Sequence, residues 1–392
     1  WSKDVDENGD FSGCYSNVFG YNCINNTFNT SCRLNSLGDN CNSNCFGKHC
    51  ICNTFGDECS YNSFGNYCTY NNFKSVCVDN IFGNNCSSNI LNICCELNNL
   101  GDVCSNNIFG NYNFSNILGE NCEFNSFGDY CQGNELIGSC KSNVFEKFCL
   151  LNILHETCEG NNFGKNCNDN ILNNLCYNNT FESFCEGNEL GVSCGENVFK
   201  KSSSSNKLST ECYDNIFGSS SSENNLGDFC SDNIFGNFCT TNNFEEGCCS
   251  NNIGNECQNI NLNCGCLLNT LGNCCVTIFL GEYNTSNSFG NGCASITLGA
   301  SSEYNSFGNG CGNVRFTYGR SGLTSGVTNG IPYMNNVHCG DGASNAQIHI
   351  NTTSVTITSS NTLKNIDISQ GFNTSIILTQ THVGKNYAIT IT

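Results

Sequence analysis

The chain has 392 residues, with 36 cysteines and 41 glycines but one proline, one methionine and one tryptophan, and a formal charge of −20. This is the composition of a repeat protein. So few cations set against 34 acidic residues would repel phosphate backbones and anionic lipid, which argues against a nucleic-acid partner. No run of about 18 apolar residues occurs, so no membrane insertion is expected.

Residues 1–13 are polar and acidic and read as a lead-in. Because the sequence opens on Trp1 without a hydrophobic signal core, it reads as a processed product or a fragment.

From Cys14 to Cys311 every ninth residue is Cys, except Asn113, Ser203, Ser221, Asn284 and Ser302. Three positions after each Cys comes Asn, without exception from Asn17 to Asn251, then Phe or Leu two further on, usually followed by Gly. Units this short cannot bury a core alone and become stable by stacking. The large residue alternates from Phe109 to Phe235, with Phe127, Phe145 and Phe163 interleaved with Leu118, Leu136 and Leu154. Later, Ile260, Ile278, Ile296 and Val314 replace the Asn that Asn269, Asn287 and Asn305 keep. Like therefore recurs at every second nonapeptide. The expected fold is all-β: a parallel β-solenoid over residues 14–316 with 18-residue coils, each of two nonapeptide sides. About 17 coils at roughly 4.8 Å per strand spacing would make a rod on the order of 80 Å long.

Asn and Phe two apart share a strand face, and replacement of Asn by Ile marks that face as interior. Asn125 and Asn143 are then members of a buried amide ladder whose side chains satisfy one another. The Gly after Phe is expected to make the sharp turn. Cys122 and Cys131 belong to the core, either as thiols filling the space beside the turn or as rungs of a disulfide ladder. The paired losses Ser203/Ser221 and Asn284/Ser302 suit bonded neighbours, but ladders of odd length cannot pair completely, so mostly reduced thiols are expected. The cysteines lack the C-x-x-C couples and paired histidines of zinc sites, so no metal and no cofactor is expected.

The second residue after the Phe or Leu is Asp at 39, 57, 102, 129 and 228, too irregular for a calcium array. Asp39 and Asp57 stack one coil apart, roughly the 5 Å of a retaining glycosidase pair, but without a cleft to raise one pKa they read as exposed turns. No catalytic residue is assigned. The outward strand position, Ile108, Ile117, Ser126, Glu135, Val144, Ile153 and Asn162, is too irregular for a lattice-matched ice-binding face. One outward column is ordered. The residue before Cys reads Val76, Cys94, Tyr112, Tyr130, Phe148, Asn166 and Phe184, and its aromatic members form a candidate stripe for binding another copy or sugar rings, or are turn residues folded over their own coil.

Residues 317–392 lose the nonapeptide. Apolar pairs such as Val355/Ile357 and Ile376/Leu378, separated by Ser, Thr, Asn and Gly, read as a small antiparallel β cap or tip domain.

The run CSYNSFGNYC at 59–68, with NSFGNGC at 287–293 and 305–311 and a threonine-rich tail, resembles asparagine- and cysteine-rich repeat proteins of gut Bacteroidetes and their phages. Several of these look like tail-fibre or adhesion proteins. The resemblance implies a structural fibre on the virion surface that displays a tip to a host polysaccharide or protein receptor. A bacterial surface adhesin or extracellular filament subunit is the alternative, and a polysaccharide-cleaving spike a third. Lateral bundling of identical rods leads to the expectation of a homo-oligomer, a trimer.

Overall fold

The computed structural model describes residues 13–299, 305–308 and 311–316, and after these only Asn351–Thr352 and the strand segments named below. The lead-in lies almost wholly outside the described residues. Two units, Trp1–Asn197 and Val198–Thr392, are built on one plan.

Each nonapeptide contributes one two-residue strand, for example Ile117–Leu118, Ser126–Phe127, Glu135–Leu136 and Val144–Phe145. Strands pair in parallel with those two repeats away: Phe127 opposes Phe109 and Phe145, and Leu136 opposes Leu118 and Leu154. In the second unit Ile216 opposes Val198 and Ile234 in the same way. The coil therefore consists of two nonapeptides, one to each side.

The strands are short because Asn intercepts the backbone ladder. The Asn125 N–H donates to the side-chain Oδ1 of Asn143 at 2.9 Å, and its Nδ2 donates to that oxygen at 3.0 Å and to Cys104 O at 3.0 Å. Asn143 repeats the pattern toward Asn161. Both residues are fully buried, and every hydrogen-bonding group of the amide has a protein partner. Without such a partner a buried amide costs about 1–3 kcal/mol. Where Ile replaces Asn the interception ends. The strands then widen to five residues at Gln258–Leu262, Val276–Leu280 and Ala294–Leu298. At the boundary Asn242, one coil from Ile260, is left with a buried Nδ2 that has no hydrogen-bond partner.

The large residues fill the space between the two sides. Phe127 and Phe145 stack with centroids 4.7 Å apart, and Phe145 and Phe163 with centroids 4.8 Å apart. Leu118, Leu136 and Leu154 are fully buried on the opposite side. Where both sides carry Phe, the rings meet edge to face across the core, as Phe64 meets Phe73 at 79°.

The turns differ from expectation. The glycines that follow Phe, Gly128 among them, do not supply the left-handed backbone. That conformation belongs to two other positions in each repeat, the second residue after Cys and the residue before the next Cys, including Val103 (φ 59°), Phe124 (φ 57°) and Tyr130 (φ 61°). The reason is hydrogen bonding. With φ positive, the Tyr130 N–H points along the axis to Lys147 O at 2.9 Å, and the Phe124 N–H to Lys141 O at 3.1 Å. Each non-glycine residue held this way costs about 1–2 kcal/mol, offset by a backbone bond that would otherwise be lost. Gly128 instead makes room for the adjacent coil, since a Cβ there would sit 2.4 Å from Asn111 Oδ1 and 2.8 Å from Gly110 C.

The tail is also corrected. Its strands are parallel and pair in line with both solenoid sheets. On one side Val314 opposes Val337, Val337 opposes Val355 and Val355 opposes Ile376, through Gly312–Phe316, Tyr333–Cys339, Ser354–Ser359 and Ser375–Gln380. On the other, Asn305–Phe307, Gly322–Thr324, Gln347–His349, Ile366–Ile368 and Ile389–Ile391 succeed one another. The spacing between partners is no longer constant. Alternating apolar residues identify strands of either direction, so the sequence pattern did not determine their sense.

Phe145→Ala should cost about 3–5 kcal/mol locally, and hydrogen exchange should show faster exchange around that coil with distant coils unchanged, since contacts are nearest-neighbour. By the same measurement Gly128→Ala should loosen its coil more than Gly160→Ala, whose Cβ would meet only Ser142 Oγ at 3.7 Å despite a φ of +66°.

Candidate functional site

The aromatic column lies on left-handed turn residues. Tyr112 and Tyr130 stack with centroids 5.1 Å apart and planes at 3°, and Tyr130 and Phe148 at 4.9 Å and 7°. All three are partly exposed, as is Phe184, which follows Asn166 in the column. Stacking covers the ring faces and leaves the edges outward. A sugar ring stacks on an aromatic face, so within the run only the outer faces of Tyr112 and Phe148 suit one, whereas a second protein surface can pack along all the edges. A shorter stack of His49 on Tyr67 occupies the opposite turn.

The Asp39/Asp57 column carries a backbone role. Asp39 Oδ1 accepts the Asp57 N–H at 2.9 Å, and Asp57 Oδ1 accepts the Ser75 N–H at 3.0 Å. Asn does the same elsewhere: Asn111 Oδ1 accepts the Asp129 N–H at 2.9 Å. Interchange of Asn and Asp at this position was the sequence signal for it, because the two share a carbonyl-type oxygen and not a charge. On an outer sheet face, Glu135 Oε1 and His155 Nε2 are 2.5 Å apart, both half-exposed.

The cysteines have a role that neither a disulfide nor a simple apolar filler describes. Cys86 N–H donates to Cys104 Sγ at 3.2 Å, and Cys104 Sγ–H donates to Gly83 O at 3.4 Å. The thiol thus links two backbone groups across coils. Its replacements keep part or all of this. Ser203 and Ser221 donate within their own turns, to Lys200 O and Gly218 O at 2.9 and 2.8 Å. Asn113 accepts the Cys95 N–H and donates to Gly110 O. Asn284 accepts the Cys266 N–H and donates to Gly281 O. A polar partner is what Ser and Asn share with Cys, so those losses need no disulfide to explain them. Cys122 and Cys131 occupy the two buried thiol columns and donate to Gly101 O and Gly110 O. No disulfide joins the described cysteines. Hydrogen bonding with the thiols of Cys122 and Cys86, then burial, pushes Cys104 above the usual thiol range. Burial pushes Cys185 up to about 12.

Among the described residues no group of three or more His, Cys, Asp or Glu could hold a metal ion, and no helix is long and apolar enough to cross a membrane.

Comparison with known proteins adds little to this geometry. No family model matches the chain, and no curated protein matches it. Among solved structures it is similar to the PL6 family alginate lyase AlyGC, at 8% identity and a TM-score of 0.16 over 100% of this chain and 97% of that one. It is also similar to the tailspike protein of E. coli bacteriophage HK620, at 12% identity and a TM-score of 0.14 over 98% of this chain and 73% of that one. Likenesses of this size carry no argument about function.

Cys104→Ser should be tolerated, whereas Cys104→Val, which removes both hydrogen bonds, should cost about 1–3 kcal/mol; chemical denaturation of the two variants compares them. A thiol whose folded pKa is raised contributes stability that is complete below the ordinary value near 9.0 and is lost as pH climbs toward about 12. Circular dichroism against pH should therefore show the solenoid weakening between these values. Thiol counting on the unfolded chain, with and without reductant, should find most ladder cysteines reduced.

Proposed function

We propose that the chain is a structural fibre or spike protein of a virion, in which the solenoid is a rigid spacer and residues 317–392 form a cap and host-recognition tip. The observation that carries this reading is the commitment of the repeat's polar groups to neighbouring coils. The ladder Asn, the turn Asp and Asn, and the buried ladder Cys side chains are spent mainly on holding one coil to the next, as a spacer requires and a catalytic groove does not. No enzymatic role is assigned. Thiols that work as hydrogen-bonding thiols suit folding in a reducing cytoplasm, which favours the virion over a secreted adhesin or extracellular filament. The partner at the tip would be a surface polysaccharide or protein receptor. Identical chains would associate along the edge carrying Tyr112, Tyr130, Phe148 and Phe184, with a closed trimer as the simplest symmetric bundle.

Light scattering on the full chain and on a Tyr112/Tyr130/Phe148 triple Ser variant tests the assembly. A trimer that dissociates in the variant is expected; a wild-type monomer rejects the bundle, and an unchanged oligomer in the variant rejects this edge. Binding of the full chain to bacterial cells, lost on truncation after Phe316, is the outcome expected of a recognition tip. Equal binding by the truncated chain would leave the tail only a capping role.

A further inference from the structure

Phe229 and Tyr283 belong to one turn column of the second unit, with Gly247 and Gly265 between them. Both are exposed, and among the described residues neither ring is stacked on another, in contrast to Tyr112, Tyr130 and Phe148. The Phe229 side chain leans across Gly247, where a Cβ would lie 2.6 Å from its Cδ1. At Gly265 the space is open: the nearest atom to a Cβ there is Gly247 N at 3.9 Å. The result is a recess bounded by Phe229 on one side and Tyr283 on the other. Gly247 and Tyr283 lie two coil rises apart, about 9 Å at the 4.7 Å spacing of Phe289 and Phe307. One pyranose ring fits in that interval, since contact on each of its faces takes about 3.5–4 Å.

Beside the recess, with Glu245 and Asn263 each two residues before a glycine, a polar network is already ordered. Glu245 Oε1 accepts from Asn243 Nδ2 and Oε2 from Asn263 Nδ2, both at 2.6 Å, and Asn261 Nδ2 donates to Asn243 Oδ1 at 2.7 Å. These bonds hold the carboxylate in place, while each of its oxygens keeps a lone pair and Asn263 Nδ2 a second hydrogen for neighbouring hydroxyls. Backbone groups are not on offer. The Gly247 N–H is bonded to Cys264 O and the Gly265 N–H to Glu282 O, both at 2.9 Å, so a peptide strand has nothing to pair with here. Exposed Glu246 and Glu282 flank the recess and repel anions.

We propose that this flank of the solenoid binds a neutral oligosaccharide, with one pyranose ring seated over Gly265 between Phe229 and Tyr283 and its hydroxyls on Glu245 and Asn263. Sugars with equatorial hydroxyls present flat C–H faces that suit the aromatic rings. Their adjacent hydroxyls suit a carboxylate, which accepts two hydrogen bonds side by side. The site lies before residue 317, so it goes beyond the proposed tip and stands whether or not the tail recognises a host.

The test is calorimetric titration of the full chain with cellotriose, chitotriose and, as the acidic counterpart, trigalacturonate at low salt. At least one neutral trisaccharide should bind, about tenfold more tightly than trigalacturonate. Tyr283→Ser and Gly265→Leu should each weaken that binding about tenfold, the first by removing a stacking face and the second by filling the recess. The fold already carries Leu175 in this column with φ 59°, so Leu is accommodated at 265. Phe238→Ser, at an exposed residue of the opposite turn, should leave the affinity unchanged, and circular dichroism should report the same β-structure in all three variants. Failure of both neutral trisaccharides to bind, tighter binding of trigalacturonate, or an equal loss in Phe238→Ser would overturn the proposal. Binding that survives both Tyr283→Ser and Gly265→Leu would also overturn it, by placing the sugar elsewhere on the chain, and would leave the role of the tail untouched.

Discussion

The structure depends on one obligation: in a coil of two nonapeptides with two-residue strands, most backbone N–H groups lie outside any strand and still have to be bonded. Strand pairing serves the residue after Asn, where the Ser126 N–H reaches Asn107 O. Carbonyls of the preceding coil serve the residue after Phe and the residue after Cys in the same way, as Phe109 O serves Gly128 and Cys122 O serves Lys141, and the rest is met by devices particular to a sequence position. Asn Oδ1 takes its own column's N–H from the adjacent coil, Asp or Asn in the turn takes another, and Cys Sγ takes a third. Left-handed corners turn two more N–H groups onto carbonyls of the next coil. A repeat that tolerates Ile, Ser, Glu or Asn on its outer strand face is nearly invariant in its Asn and Cys columns, where the side chain serves the backbone in coil after coil.

This ranking explains how much could be read from the sequence. The period, the alternation of Phe and Leu, and the interior place of Asn were legible because each is enforced by a contact between identical positions one coil apart. The corners were not. Their conformation is fixed by where an N–H must point, and the side chain projects outward, so Val103, Phe124 and Tyr130 occupy them as readily as Ser or Asn. Gly drew attention to the wrong position because its conformational freedom is the better-known reason for a small residue at a turn. Here the constraint is the backbone of the adjacent coil, 2.8 Å from where a Cβ at Gly128 would lie.

The candidate surface was legible as a column but not as a chemistry. Spacing places Tyr112, Tyr130 and Phe148 one above another, yet only the near-parallel planes at 3° and 7° show that their faces are turned to one another. Similarly, the exchange of Cys for Ser and Asn is visible in sequence, but its meaning needed the donors and acceptors. Oxygen and nitrogen can stand in for sulfur because the site asks for a hydrogen-bond relay rather than for redox chemistry or volume.

The alternating direction of these hydrogen bonds has an electrostatic consequence. In an α-helix every N–H points the same way and the peptide dipoles add, leaving partial charges at the two ends. Here the N–H groups of Asn125, Phe124, Tyr130 and Cys86 run toward the following coil, whereas those of Ser126, Gly128, Lys141 and Asp129 run toward the preceding one. Opposed dipoles largely cancel within each repeat. Coils can therefore be added or removed without accumulating a backbone dipole along the axis: a lineage could duplicate pairs of nonapeptides while leaving the peptide contribution to the potential at the ends of the stack unchanged.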